Sequence, residues 1–245
     1  MKSTIGTKGV RFDTAGQNIW WDLKLERADG VEQDGGVYVT GGKLLLFRRF
    51  ANDYVGPTVV ENGGIQARVD YAIPARSTLR LGGVTTEGTF TANTYDTESP
   101  QRITRQIIGR IEGRGTLQEM AMSHITNSVA PAANGALKFT TVTYFDPGCV
   151  YEVSGDKTGC SCLEVKGATN QPQDISGLKV RLMNPEALDG SASRTFYKIL
   201  SVATGAASGY AGKFDASEIP DGWRLKYTTD AVYLYPRQGL ILVVE

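Results

Sequence analysis

Three cysteines, one histidine and a scatter of carboxylates are the residues of this sequence that could do chemistry, and their spacing narrows what kind. Cys149, Cys160 and Cys162 lie close together in a chain otherwise free of thiols, a clustering that fits an oxidising compartment. The run Cys160-Ser161-Cys162-Leu163-Glu164-Val165 alternates with a period of two, so Leu163 and Val165 would point inward while both cysteines share the outer face. Cys149 could then form a disulfide with either one, closing a loop of about a dozen residues and contributing roughly 2–3 kcal/mol through loop entropy. Three free thiols are the alternative. A three-thiolate metal site lacks a fourth ligand nearby, because His124 is the only histidine in the chain, and no metal is expected.

Ser123-His124-Ile125 offers one possible base, but no G-x-S-x-G elbow accompanies it, and a structural or exposed histidine is the favoured reading. Asp53, Glu61 and Asp70 are the nearest carboxylate group. They fall at corners and strand ends, with no period that would stack them for the acid and base work of a polysaccharide-cleaving enzyme. No G-x-x-x-x-G-K-[ST] loop is present, and no cofactor is expected. Trp20-Trp21 could stack on a sugar, although such a pair more often caps the open end of a core. Arg68 and Arg80 belong to a set of outward basic positions, with Lys43, Lys138, Lys179, Arg181, Arg224 and Lys226, that could meet acidic glycans or could be solvated strand exteriors. Trp20, Trp21, Arg68 and Arg80 are therefore the candidate glycan contacts.

The elements that would position these residues are short strands. Gly42-Lys43-Leu44-Leu45-Leu46 opens one strand, Asn52-Asp53-Tyr54-Val55-Gly56-Pro57 forms a polar corner, Thr58-Val59-Val60 follows, and Gly64-Ile65-Gln66-Ala67 opens the next strand with the same signal. The two opening glycines are 22 residues apart, about one coil of a solenoid. Leu44/Leu46, Ile65/Ala67/Val69, Leu79/Leu81, Leu137/Phe139, Leu178/Val180/Leu182, Leu225/Tyr227 and Val232/Leu234 are the expected inward ladders. Two polar stretches, 87–105 and 184–194, are expected excursions, the second with a helical turn at Pro185-Glu186-Ala187-Leu188. Lys plus Arg equal Asp plus Glu, 26 against 26, so no global field favours nucleic acid or an anionic membrane. No segment approaches the roughly 20 apolar residues of a membrane span. Met1-Lys2-Ser3-Thr4-Ile5-Gly6-Thr7 lacks the apolar core of a secretory signal, and an excised piece of a secreted protein is the favoured origin.

Gly42-Lys43-Leu44-Leu45-Leu46 through Asn52-Asp53-Tyr54-Val55-Gly56-Pro57-Thr58-Val59-Val60 to Gly64-Ile65-Gln66 resembles the autotransporter-associated β-strand repeat, G-x-L-x-L … N-x-Y-x-G-x-T-x-V-x-x-G-x-L, with Ile65 in place of the last leucine. Ile108 to Leu117, Gly135 to Phe139 and Phe214 to Leu234 are similar to the coils that follow such repeats. The resemblance implies a bacterial passenger domain, secreted or displayed at the outer membrane, built as a right-handed parallel β-helix and serving as an adhesin or stalk. The expected architecture is thus all-β, one domain over 1–245 with single-stranded coils of about 20–22 residues. The expected function is non-catalytic, with a glycan or a host or cell-surface protein as partner and a monomeric state. A polysaccharide lyase or hydrolase on the same fold, and a virion fibre module, are the alternatives.

Overall fold

The computed structural model describes residues 2–83, 85–93, 103–188, 196–206 and 208–237. The described chain is all-β apart from one short 3-10 turn, Pro185–Ala187, at the place where the sequence suggested a helical turn.

Two long sheets carry the fold. Sheet I runs Val10–Asp13, Val37–Thr40, Thr58–Val60, Thr78–Leu81, Ile107–Gly113, His124–Pro131, Cys149–Val153 and Leu178–Leu182, with Tyr144–Phe145 beside the start of His124–Pro131. Sheet II runs Ile19–Trp21, Leu44–Phe47, Gly63–Ala67, Gly88–Thr91, Gly115–Gln118, Ala136–Phe139, Cys162–Val165 and Tyr197–Val202. All these neighbours pair in parallel, and the chain visits the two sheets in alternation. Each circuit therefore places a strand in both sheets, not the single strand expected. A third, interrupted line of pairing joins Lys2–Ile5 to Lys24–Arg27, Glu26 to Asp53, and Ile107 to His124 to Tyr144. The arrangement has long parallel sheets and is compatible with a β-helix.

Circuit length follows the sequence signal where turns are tight. Val37 lies opposite Thr58 and Thr58 opposite Leu79, 21 residues apart each time, and Leu45 lies opposite Ile65 after 20. Leu79 meets Ile111 after 32 residues, and Leu163 meets Leu200 after 37. These long circuits contain the two polar excursions; positions 94–102 of the first and 189–194 of the second lie outside the described residues.

Inward side chains stack from circuit to circuit. On sheet I, Leu79, Ile111, Val129, Tyr151 and Val180, and on sheet II, Leu45, Ile65, Phe90, Leu117, Phe139 and Val165, follow one another in register and are essentially inaccessible to solvent. Each such aliphatic or aromatic side chain contributes about 1.5–3 kcal/mol by leaving water. The expected inward pairs at 65/67, 79/81, 137/139, 178/180/182 and 232/234 are all buried, while Val69, Leu225 and Tyr227 are half-buried. The pair Leu44/Leu46 is displaced by one position: Leu45 and Phe47 enter the core, and Leu46 lies between Trp20 and Gln66 on the other face. Leu44-Leu45-Leu46-Phe47 is apolar at every position and carries no phase of its own, so pairing with Ile65 and Ala67 sets the register.

Buried polar side chains tie the corners together. Asn52 Oδ1 accepts from Leu25 N at 2.9 Å and its Nδ2 donates to Ala72 O at 2.8 Å, joining three circuits. The Asp34 carboxylate accepts from the backbone N–H groups of Gly36, Val55 and Gly56 at 2.9, 2.7 and 2.8 Å. At the far end Trp223–Tyr227 and Ala231–Pro236 turn antiparallel and close sheet II, burying Trp223 and Phe214. At the near end Trp21 packs edge-on against Phe12, ring centroids 4.9 Å apart, while Trp20 is 57% exposed.

Candidate functional site

Alternation along Ile107–Gly113 and Cys149–Val153 turns Arg110, Glu112 and Glu152 to the outer face of sheet I, where a groove of about 580 Å³ runs past Arg80. Arg80 Nε donates to Glu112 Oε1 at 2.6 Å and Arg110 Nε donates to Glu112 Oε2 at 2.8 Å. Arg110 then grips Glu152 with both terminal nitrogens, at 2.6 and 2.8 Å, and also reaches Ser128 Oγ at 2.8 Å. Burial alone would push the Glu112 carboxyl up, but the hydrogen bonds from Arg110 and Arg80 outweigh it and hold the group below the usual range. The bond to Glu152 raises the Arg110 guanidinium despite the cost of its burial. A general acid for glycoside cleavage needs the opposite, a carboxyl whose proton is retained near neutral pH. This row is a charge-paired brace. The same pattern extends along the face, Arg11 to Glu61 at 2.7 Å and Arg181 to Glu218 at 2.6 Å.

The four candidate glycan contacts are divided among separate places. Trp20 and Arg68 come together on the outer face of sheet II, where Arg48 lies 4.4 Å and Arg68 5.8 Å from the indole centroid. Arg68 Nε also donates to Gln66 Oε1 at 3.3 Å, and Gln66 Nε2 to Asn93 Oδ1 at 2.7 Å. Trp21 points the other way and caps the first circuit on Phe12. Arg80 stands on sheet I in the brace.

All three cysteines are free thiols, without the bridge that their spacing suggested. Cys149 is buried in sheet I opposite Leu178, whereas Cys162 begins a sheet II strand and its Sγ lies 3.7 Å from Ser201 Oγ. Cys160 and Cys162 keep the outward phase that the alternation suggested, both half-buried, while Ser161, Leu163 and Val165 are buried; Ser161 donates its N–H to Ser154 O. Burial pushes the Cys149 and Cys160 thiols up to about 12 and also raises Cys162, so all three stay protonated and weakly nucleophilic at neutral pH.

The three suspected carboxylates do not converge. Asp53 pairs with Arg76, Glu61 with Arg11, and Asp70 accepts from Arg105 N at 2.8 Å. Ser123 and His124 face opposite ways, as strand neighbours do: the serine is fully buried and accepts from Gln106 N, while the half-exposed histidine holds Asp146 Oδ1 at 2.9 Å through Nδ1 and stacks on Tyr144, centroids 5.3 Å apart. Glu112, Glu152 and Tyr144 carried a usable signal, their outward phase beside buried neighbours. Arg110 lies two residues from Glu112, but Arg80 lies 32 residues from Glu112 and Arg110 lies 42 residues from Glu152, beyond any local motif. No protein-family model, curated protein or solved structure matches this chain.

Proposed function

We propose that the chain is a non-catalytic structural domain of the adhesin or passenger type, a right-handed parallel β-helix that holds a binding surface at a bacterial cell surface or in the extracellular medium. The supporting observation is the brace on sheet I. Among the described residues the constellation Arg80–Glu112–Arg110–Glu152 is spent on pairing its own charges within and across the stacked strands. The parallel ladders and the repeat at Gly42 to Gln66 agree with stacked coils. Its partner is a glycan or a cell-surface protein, and the working unit is a monomer. The test is a panel of acidic and neutral polysaccharides incubated with the protein, with and without calcium, together with its sedimentation mass. No turnover and a mass near 26.5 kDa are expected. Turnover of any polysaccharide would replace this reading with that of a β-helix enzyme, and a trimeric mass would favour a virion fibre module.

A further inference from the structure

The third line of pairing breaks between two neighbouring circuits. Tyr144–Phe145 pairs back to His124–Pro131, and Gln173–Asp174 pairs forward to Tyr210–Ala211, but the two strands do not pair with each other. The Gln173 side chain spans the break instead: Oε1 accepts from Thr143 N at 2.8 Å and Nε2 donates to Thr143 O at 2.7 Å. Beside this splice lies a cavity of about 540 Å³, within the range of small-ligand sites. Thr143, 2% exposed, lines it, and its Oγ1 is buried without a hydrogen-bond partner. Gly177 keeps the wall close, since a Cβ there would stand 2.8 Å from Phe145 O.

We propose that this cavity binds a neutral saccharide unit. Tyr144 is 46% exposed and has His124 stacked on its upstream side, while the cavity lies toward the downstream circuit, so its ring is braced as a platform for the C–H face of a pyranose. Asp174, at the position matching Tyr144 one circuit on, accepts from Ser176 N and Oγ through Oδ1, and its Oδ2 takes no hydrogen bond from the described residues. That oxygen is an acceptor for sugar hydroxyls. Among the described residues Asp174 is the only charged one lining the cavity, so the site disfavours uronic acids and sialic acids. The proposal rests on the non-catalytic reading above and supplies its ligand class and place.

The test is titration of the full chain, followed by NMR, with a panel of neutral disaccharides (cellobiose, lactose, maltose, chitobiose) and with digalacturonate as the acidic probe. At least one neutral probe is expected to shift the resonances of Tyr144, Gly177 and Gly212, with digalacturonate inert. Tyr144→Ala and Asp174→Ala should each weaken binding about tenfold or more, the size of one lost stacking or charge-assisted contact. Tyr144→Phe and Trp20→Ala should bind as the parent does. Because Asp174 is exposed, its variant gives a folded readout even if Tyr144→Ala does not fold. A panel in which no neutral probe binds, binding that survives Asp174→Ala, or digalacturonate binding as tightly as the neutral sugars would each overturn the proposal. None of these would touch the non-catalytic reading, which falls only to turnover.

Discussion

The outer face of sheet I at Arg110 and the corner at Tyr144 show two ways in which stacked circuits dispose of polar side chains. At Arg110 the strand is paired on both sides, with a register shift between Ile108 and Arg110 on one of them, and the outward groups pair with one another: one guanidinium bonds Glu112 on its own strand, Ser128 on the next and Glu152 on the one after. At Tyr144 the ladder stops, a single glutamine side chain replaces it, and a carboxylate oxygen of Asp174 and the buried Thr143 hydroxyl are left without hydrogen-bond partners among the described residues. Regular stacking consumes chemistry, because strands spaced about 4.8 Å apart bring outward groups within side-chain reach of complements on the same or nearby strands. A break in the stacking leaves such groups unpaired, and the exposed ones, Tyr144 and Asp174, are open to a ligand.

The comparison assumes that inward rows hold the circuits together, and the largest expected effect tests that. Val180→Asp places a carboxylate in a fully buried row between the Tyr151 ladder and the closing segment. An unpaired buried charge costs several kcal/mol, comparable with the 5–15 kcal/mol total margin of a domain. The variant should be unfolded or insoluble at room temperature by circular dichroism. A cooperative melt within a few degrees of the parent would show that the inward row is misassigned.

The brace itself comes next. Arg110→Ala leaves Glu112 and Glu152, 18% and 15% exposed in their side chains, facing each other without the guanidinium between them. Removing one partner of a well-buried pair costs about 3–5 kcal/mol, and since Arg110 is itself 32% exposed, about 2–3 kcal/mol is expected by chemical denaturation. The pH dependence has a definite sign. Glu112 has a folded-state pKa below its unfolded value, so its contribution is present above about pH 4.5 and is lost as the pH falls through the folded value. The stability gap between the parent and Glu112→Gln should therefore be full at pH 7 and shrink below about pH 4. A gap unchanged at pH 3 would remove the ionic brace from the account.

How much of this was legible beforehand depends on whether partners were near in sequence. The 22-residue spacing of Gly42 and Gly64 came near the register but overshot it: Gly64 lies opposite Leu44, and Leu45 meets Ile65 after 20 residues. Alternating rows such as Leu178, Val180 and Leu182 gave their own facing, whereas Leu44 to Phe47, apolar throughout, left its phase to the neighbouring strand. Thr58-Val59-Val60 could be read as a strand, but it is buried at all three positions and shows no alternation, so nothing in it told that it belongs to a second sheet. The sites were least legible. The alternation through Cys160, Ser161 and Cys162 gave the facing of both thiols but not whether they bond, which depends on where Cys149 falls on the other sheet. Arg110 to Glu152 and Gln173 to Thr143 join residues 42 and 30 apart, distances set by how many residues each corner consumes.

The smallest effect sharpens the comparison from the outward side. Lys138 projects from sheet II between buried Leu137 and Phe139, and its Nζ lies 3.0 Å from both Glu87 carboxylate oxygens. The pair is 34% and 49% exposed, so water and salt screen it, and such pairs contribute about 0–1 kcal/mol. Lys138→Glu replaces attraction with repulsion at the same place, which can cost a similar amount again but leaves the inward row intact. For a chain of this size 1 kcal/mol corresponds to about 2–4 °C in Tm, so the variant should melt only a few degrees below the parent. The difference should also narrow between low salt and about 1 M salt, where the Debye length falls to about 3 Å. A loss as large as that of Val180→Asp, insensitive to salt, would mean that Lys138 reports on packing and not on charge, and the contrast between consumed outward rows and the open corner would no longer stand.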